Sequence, residues 1–306
     1  MKTTKHRAPS TEHHSVLLDE TVDGLSLSAG NTAIDATVGT GGHAEKIAEA
    51  IGNEGTLMLV DIDPGSIARA KERLEHTSAK LIFVQGNFRD LKNLAAEAGV
   101  QSADGIAFDL GWHSEQLAAG RGLSFMSDEP LVMTLGARSS TLTAKDIIAD
   151  WDEASIEEII RAYGEERFAG RIARAIVEAR RGEPVETAKQ LAEIIRAVVP
   201  GFYRHGRIHP ATRTFQALRI AVNDELNALT EALEDALELL APSGRLAVIS
   251  FHSLEDRIVK QAFRAAEDKG RGKRITKKPI VPSIAERKTN PRARSAKLRI
   301  FEKNAS

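Results

Sequence analysis

The sequence predicts an α/β fold built on an open, doubly wound parallel sheet, and three observations support this prediction. Four short apolar runs, each the length of a buried strand, lie within the first 110 residues, and helical patterns separate them. Their spacing is typical of repeated βαβ units, in which helices cover both faces of a parallel sheet. The chain has 306 residues, 42% of them hydrophobic, which is enough for one elaborated domain or two.

The elements follow in order along the chain. The four predicted strands are "TAIDAT" (32–37), "TLMLVDID" (56–63), "LIFVQG" (81–86) and "DGIAFDL" (104–110). A loop rich in Gly and Ser (111–143) leads into helical patterns in which Thr187-x-x-Gln190 and Ser155-x-x-Glu158 fit capping boxes. These patterns predict a helical insertion over roughly 125–208.

After the insertion the sheet is expected to resume. One long helical pattern runs from about residue 212 to 240, and "GRLAVISF" (244–251) has the apolar character of a fifth buried strand. The segments "KPIVPS" and "AKLRIFEK" could supply two final strands. We therefore expect three parts: 1–124, the helical insertion 125–208, and 209–306.

Charge and composition limit the function. The formal net charge is −1, yet Arg257 to Lys303 holds 16 Lys and Arg against four acids, or +12, which indicates a polyanionic partner. The chain has no cysteine, so disulfides, thiolate zinc sites and thiol nucleophiles are excluded. No apolar run approaches the ~18 residues of a membrane span and no signal peptide is evident, so we expect a cytoplasmic protein without a membrane partner.

The stretch "DATVGTGGHAEK" (35–46) places three glycines between the first strand and a helix. Such a loop allows a ligand to come close to backbone N–H groups. Asp61, 22 residues after Gly39, could accept hydrogen bonds from the two ribose hydroxyls of an adenosine. Both NAD and S-adenosylmethionine contain an adenosine that could bind in this way. The alternative is a plain glycine turn that binds no cofactor. "GTGGH" lacks the third glycine of G-x-G-x-x-G, and an acid at Asp35 could pair with a donor's amino group, so the methyl donor is favoured.

Two further strand ends carry polar residues. Asp109, in "DLGWHSEQL" after the fourth strand, could accept a hydrogen bond from a substrate amine, or it could only cap a turn. In the same stretch Trp112 could stack a base, although a buried loop tryptophan is the more ordinary interpretation. His252 and Ser253 lie at the tip of the fifth strand, where Ser253 fits a helix N-cap.

Arginines share one face of a helix in the insertion, at Arg167, Arg171 and Arg174. An amphipathic helix with a solvated basic face is the first interpretation of this pattern, and an RNA-binding face is the second.

Taken together, several segments resemble one family over nearly the whole chain: the bacterial RsmH (MraW) methyltransferases. The matching segments are "HHSVLLDE" (13–20), "DATVGTGGH" (35–43), "DLG" with Gln116 (109–116), "RGLSF" (121–125), "YGEER" (163–167), "IARAIVEAR" (172–180), "FQALRIAVNDEL" (215–226), "FHSLEDRIVK" (251–260) and "NPRARSAKLR" (290–299).

The resemblance implies a Rossmann-like, class I S-adenosylmethionine-dependent methyltransferase with an inserted helical domain for RNA. It implies methylation of the exocyclic N4 of a cytidine in 16S ribosomal RNA of the small subunit, near the decoding centre, with no metal. The oligomeric state stays open, a homodimer being one candidate. Carried onto this sequence, the donor-binding residues are Gly41, Gly42, His43, Asp61, Phe88, Asp109 and Gln116.

Mechanism can be considered from the chemistry alone. A cytosine amine is a poor nucleophile, so it must be oriented in line with the sulfonium methyl and helped to lose a proton. Asp109 is the main candidate for orienting the amine, and His252 is a second candidate, as a base or as an RNA contact. Methylation of carbon five would need a cysteine thiolate, which the chain lacks.

Two departures from the family pattern fall on the substrate side. Trp112 and His113 precede Ser114 where the family usually has two serines and a small apolar residue. "PLVMTLG" stands where the family usually has "PLDMRMD", which places Val132, Thr134 and Gly136 at two acids and an arginine. Two rival functions remain at this stage: an NAD-dependent oxidoreductase, and a non-catalytic RNA-binding factor on a methyltransferase fold.

Overall fold

The structure is a computed structural model that describes residues 15–111, 120–126, 128–135 and 142–305. Within these ranges, seven strands form one sheet in the order β3-β2-β1-β4-β5-β7-β6. Their bounds are β1 Thr32–Asp35, β2 Thr56–Asp61, β3 Lys80–Gln85, β4 Ala103–Asp109, β5 Leu240–Ser250, β6 Gly272–Arg274 and β7 Lys297–Lys303.

The sheet confirms the predicted α/β, doubly wound class and its Rossmann-like arrangement. Strands β1 to β5 pair in parallel, whereas β7 is antiparallel to both β5 and β6. The strand order reverses between β1 and β4, so their carboxyl ends border a crevice where open α/β sheets bind ligands.

Helices cover both faces of the sheet, and others form the segment between β4 and β5. Their bounds are α1 Leu18–Leu25, α2 Gly42–Ile51, α3 Pro64–Leu74, α4 Leu91–Glu97, α5 Ala144–Asp150, α6 Glu153–Gly164, α7 Ala169–Gly182, α8 Ala188–Val198, α9 Gly201–Arg204, α10 Thr212–Asn223, α11 Glu225–Leu239, α12 Ser253–Asp268 and α13 Ile284–Thr289. No helix in the described part of the chain is both long and apolar enough to cross a membrane.

Each face of the sheet has its own hydrophobic core. One core joins the sheet to α4, α11 and α12 through residues such as Phe108, Leu233 and Phe263. The other joins it to α1, α2 and α3 through residues such as Ile47 and Leu74. Because both faces are covered, β2 and β4 are almost continuously buried, as their apolar runs predict.

The segment between β4 and β5 has a third core of its own. It is formed by α5 to α8 together with residues of α10, among them Ile160, Ile172 and Phe215. The predicted capping box of Thr187 and Gln190 is present at the start of α8. At α6 the cap is Asp152, whose carboxylate accepts the Ser155 N–H at 2.8 Å, so the expected pairing of Ser155 with Glu158 is wrong.

Two further predictions of secondary structure are wrong. The long helix expected over 212–240 is two helices, because Asp224 adopts a left-handed conformation (φ 49°) between α10 and α11. Its carbonyl and carboxylate accept hydrogen bonds from Arg89, across the sheet edge, at 3.1 and 2.5 Å. "KPIVPS" forms only an isolated bridge at Ile280 instead of a strand, and Gly272–Arg274 takes the edge position.

Candidate active site

The glycine loop links β1 to α2 and forms the floor of the site. Gly41 is the N-cap of α2 in a left-handed conformation (φ 83°), which favours glycine. Gly42 begins the helix, and a Cβ there would lie 2.0 Å from the Ser15 hydroxyl oxygen. A side chain at this second position would require the Ser15 hydroxyl to move, because the chain before α1 packs directly against it.

Asp61 ends β2 and ties the glycine loop to that strand. Its two carboxylate oxygens accept N–H groups from Gly39 at 2.9 Å and from Asp63 at 2.8 Å. The side chain is buried, and this burial raises its pKa above the ordinary aspartate value. Each carboxylate oxygen keeps a second lone pair, so Asp61 can still accept two hydroxyl groups from a ligand.

A first cavity extends from this loop across the ends of β1, β2 and β4. Gly39, Asp61 and Phe88 line it, and the Phe88 ring packs edge-on against Phe108 at 5.8 Å. The cavity thus offers carboxylate acceptors at Asp61 and an aromatic wall at Phe88.

A second cavity lies on the other side of Asp109. The two cavities share Thr37, Gly39, Asp109, Leu110, Gly111 and Glu255 as lining residues. Asp109 is the last residue of β4, and its N–H donates to the Thr37 hydroxyl at 2.6 Å. Its carboxylate therefore stands where the two cavities meet.

His43 lies behind Asp109 on the first turn of α2. Its Nε2 is 3.1 Å from the Val16 carbonyl oxygen, which can only accept, so Nε2 carries a proton. Its Nδ1 is then directed to Asp109 Oδ2 at 3.7 Å. His43 is buried and lines the second cavity, and its Nδ1 stands beyond hydrogen-bond distance of the Asp109 carboxylate.

Asp35 lies at the end of β1 and lines neither of these two cavities. It is 2% exposed, and burial raises its pKa to about 6 against the opposing influence of His43. Its Oδ1 accepts the Thr37 N–H at 3.1 Å. The structure thus places this acid beneath the loop, where it supports the backbone turn.

His252 is the N-cap of α12, which excludes Ser253 from the capping role that the sequence suggested. Its Nδ1 accepts the Glu255 N–H at 3.4 Å, and its Nε2 lies 3.1 Å from Glu255 Oε1. Because Nδ1 accepts, a neutral imidazole carries its proton on Nε2. In this geometry His252 is a hydrogen-bond donor in the wall of the second cavity.

One possible metal-binding group occurs among the described residues: Glu225, His252 and Glu255 each have a ligand atom within 4.8 Å of the others. The Glu225 carboxylate, however, receives two N–H groups of Arg219 at 2.8 Å each. Glu255 Oε2 accepts the N–H groups of Phe251 and His252. Both carboxylates thus have donors from the protein itself.

The basic C-terminal segment contributes to this site at one point. Arg292 lines the second cavity, and its burial lowers its pKa while the charge of Asp109 opposes that change. Lys297 lies on β7, where its ammonium group is 3.0 Å from Asp256. The two residues therefore differ in setting, although both belong to the same basic segment of the sequence.

Sequence reasoning missed Arg219, Glu225, Glu255 and Thr37. The first two lie in "FQALRIAVNDEL" and Glu255 lies in "FHSLEDRIVK", so the motifs were visible without assigned roles. Gln116, Trp112, His113 and Gly136 lie outside the described residues. In "PLVMTLG", Leu135 lines the first cavity and its N–H donates to Asn223 at 2.7 Å.

Comparison with known proteins gives a consistent result. A family model described as the MraW methylase family matches residues 10–304. The chain is 44% identical over 310 residues to Ribosomal RNA small subunit methyltransferase H of Brevibacillus brevis, covering 96% of this chain and 98% of that protein. It is 45% identical over 307 residues to the protein of the same name from Symbiobacterium thermophilum, covering 95% and 96%.

Among solved structures, an rRNA methylase from Streptococcus thermophilus has a TM-score of 0.46 and 11% sequence identity to this chain. The match covers 95% of this chain and 99% of that one.

Proposed function

Because the chain belongs to the MraW methylase family and is therefore an S-adenosylmethionine-dependent methyltransferase, we propose that it methylates the exocyclic N4 of a cytidine in small-subunit ribosomal RNA, near the decoding centre. The observation that carries this proposal is the meeting of two cavities at Asp109. A transfer enzyme needs this arrangement, with one site for the donor, one for the acceptor, and a shared boundary where the methyl group crosses.

We propose that the first cavity binds the donor. Asp61 would accept the ribose hydroxyls through the lone pairs that its backbone contacts leave available. Phe88 would lie against the adenine. The methionine end would reach the glycine loop at the boundary of the two cavities, where Gly39 lines both, Gly42 lines the second and Gly41 caps α2 between them. Gln116 keeps the donor-binding role implied by the family resemblance.

We propose that His43 keeps the donor-binding role that the family resemblance implies. Its Nε2 is held by the Val16 carbonyl, and its Nδ1 lies 3.7 Å from Asp109 Oδ2, beyond hydrogen-bond distance. His43 therefore stands beside the carboxylate that both cavities share.

We propose that the target base enters the second cavity with its exocyclic amine against Asp109. The amine lone pair of cytosine is delocalised into the ring, so a hydrogen bond from N–H to the carboxylate would turn the nitrogen toward the donor methyl group. The bound donor would supply an electrophilic methyl group, with a neutral thioether as its leaving group. Asp109, at the boundary of the two cavities, would accept the proton that the methylated amine releases.

His252 serves this reaction as a contact to RNA. Its Nδ1 accepts the Glu255 N–H and its Nε2 lies 3.1 Å from Glu255 Oε1, so neither ring nitrogen is placed to remove a proton from the amine, and the contact with RNA would be made by the ring. Arg292, which lines the same cavity, supplies positive charge for the nucleotide and its phosphates, whereas Arg219 is paired with Glu225. Since the chain has no cysteine, the covalent route to carbon five is closed and transfer to nitrogen remains.

The cellular setting is proposed on the same basis. We place the enzyme in the cytoplasm with the small ribosomal subunit as its partner. We further propose that 125–208 forms the RNA-recognition part between the two parts of the methyltransferase domain, 1–124 and 209–306. Its separate hydrophobic core supports this division, although α10 also packs into that core.

Methyl transfer from labelled S-adenosylmethionine to undermethylated small subunits tests the proposal. Asp109→Asn should lower the transfer rate by about 10²-fold or more while donor binding is largely kept. Asp104→Asn is the matched control, because Asp104 lies on the same strand and its carboxylate accepts the Thr32 N–H at 2.8 Å. Equal rates for Asp109→Asn and Asp104→Asn would contradict the assigned role.

A further inference from the structure

An exposed aromatic and cationic cluster lies on the helical segment, outside both cavities. The Arg167 guanidinium carbon is 4.8 Å from the ring centroid of Phe168, 5.2 Å from Phe202 and 5.1 Å from Tyr203. The rings of Phe202 and Tyr203 also contact Phe168 edge-on. We call Arg167, Phe168, Phe202 and Tyr203 the Arg167 platform.

Phe202 is the exceptional member of the platform. It is 68% exposed, and every other Phe, Tyr and Trp that the structure describes is at least partly buried. A ring held between an arginine and other aromatic residues, with most of its surface in solvent, presents a rigid apolar face. Such a face is available to stack on the ring of a ligand.

The charges around the platform favour a polyanion. Arg167 and Arg171 are both exposed, and the Arg171 guanidinium carbon lies 5.9 Å from the Phe168 ring. The neighbouring acids are engaged: Glu166 is buried and accepts the Tyr203 hydroxyl, and Glu165 is paired with Arg257. Arg167 and Arg171 therefore face solvent, whereas Glu166 is hydrogen-bonded in the interior and Glu165 is ion-paired.

The platform is connected to the wall of the second cavity. Glu165, two residues before Arg167, accepts hydrogen bonds from Ser253 and from Arg257 at 2.9 Å. Both donors belong to the first turns of α12, the helix that His252 caps at the cavity. An RNA strand with its target base in that cavity would therefore pass close to the platform.

We propose that the Arg167 platform stacks an unpaired base of the RNA substrate close to the target nucleotide, with Phe202 as the stacking surface and Arg167 and Arg171 contacting adjacent phosphates. This proposal rests on the proposed function, because it assigns the platform to the same RNA. Aromatic rings combined with arginines are the common means of holding single-stranded RNA.

Three substitutions separate stacking from other effects. Phe202→Leu removes the ring and keeps an apolar side chain, whereas Phe202→Trp keeps a stacking ring. Ile208→Ala is the matched control, because Ile208 is a nearby apolar residue that is 56% exposed. Since Phe202 and Ile208 are both mainly in solvent, we expect all three variants to keep the wild-type melting temperature.

Two measurements test the proposal: equilibrium binding of a single-stranded 12-nucleotide RNA, and KM and kcat for undermethylated small subunits. One stacked base contributes roughly five- to 150-fold in affinity, so Phe202→Leu should weaken RNA binding and raise KM about tenfold, with unchanged kcat. Phe202→Trp and Ile208→Ala should match the wild type.

The proposal is overturned if Phe202→Leu and Phe202→Trp bind the oligonucleotide equally, or if Phe202→Leu lowers kcat with unchanged KM. Either result, together with normal methyl transfer by the wild type, rejects the platform and leaves the proposed function in place. If Phe202→Leu loses binding to purified ribosomal proteins while its RNA binding is unchanged, the platform binds a protein, and the proposal that it stacks an RNA base is rejected. Absence of transfer by the wild type rejects the proposed function, and the oligonucleotide measurement then still decides on the platform.

Discussion

Replacing Asp61 with Asn should weaken binding of S-adenosylmethionine by about 150-fold. The Asp61 carboxylate has one oxygen on the Gly39 N–H and the other on the Asp63 N–H. An amide can satisfy only one of these donors, and its NH₂ group faces the other. The substitution also removes the charge from two hydrogen bonds to ribose hydroxyls, and losing the equivalent of one charge-assisted bond costs about 3 kcal/mol.

Isothermal titration with S-adenosylmethionine measures this loss directly, and the donor-induced rise in melting temperature provides a second readout. Asp63→Asn is the control, because it makes the same change of charge in the same loop and asparagine is also a good N-cap for α3. Asp63→Asn should bind the donor like the wild type. If Asp61→Asn binds the donor within threefold of the wild type, Asp61 does not hold the ribose.

Two further predictions concern ionisation and RNA binding. Burial raises the pKa of Asp35 to about 6, so the folded state holds this proton more tightly than the unfolded chain, and the stability it contributes at low pH is lost as pH rises from about 4 to about 7. Measured by urea unfolding, the free energy of unfolding of the wild type should fall by about 3 kcal/mol over this pH range, and Asp35→Asn should lack this decrease. The same pH dependence in both proteins would contradict the prediction. For RNA, Arg292→Ala should lower the salt slope of binding to small subunits by about one unit, whereas Lys297→Ala, which breaks the pair with Asp256, should mainly lower the melting temperature. Unchanged slope and affinity in Arg292→Ala would exclude a phosphate contact there.

The sequence was informative wherever local pattern determines structure. Strands β1 to β4 coincide with apolar runs because a strand covered on both faces must be apolar along its length. The glycine loop and Asp61 were recognisable because the turn needs a left-handed residue at Gly41 and the acid follows at a typical spacing. The meeting of Gly39 and Asp61 follows from the pairing of neighbouring parallel strands.

Features that depend on distant contacts were not predictable from pattern. An ordinary helical sequence precedes the break between α10 and α11 at Asp224. The Asp224 carboxylate accepts a hydrogen bond from Arg89, which lies 135 residues earlier in the chain. His252, and not Ser253, is the N-cap of α12 because the His252 side chain accepts the Glu255 N–H and the Glu255 side chain accepts the His252 N–H. The different roles of Arg292 and Lys297 were also visible only in the structure, where Arg292 lines a cavity and Lys297 pairs with Asp256.

We propose that the methyl group is transferred to the N4 nitrogen of cytidine where the two cavities meet at Asp109. Mass spectrometry of nucleosides from small subunits methylated in a reconstituted reaction tests it most directly, with synthetic standards for each isomer. We predict N4-methylcytidine as the product of the wild type and of Asp104→Asn, and at most a trace of it from Asp109→Asn. Detection of 5-methylcytidine or of a ribose 2′-O-methyl nucleoside in its place would contradict the account.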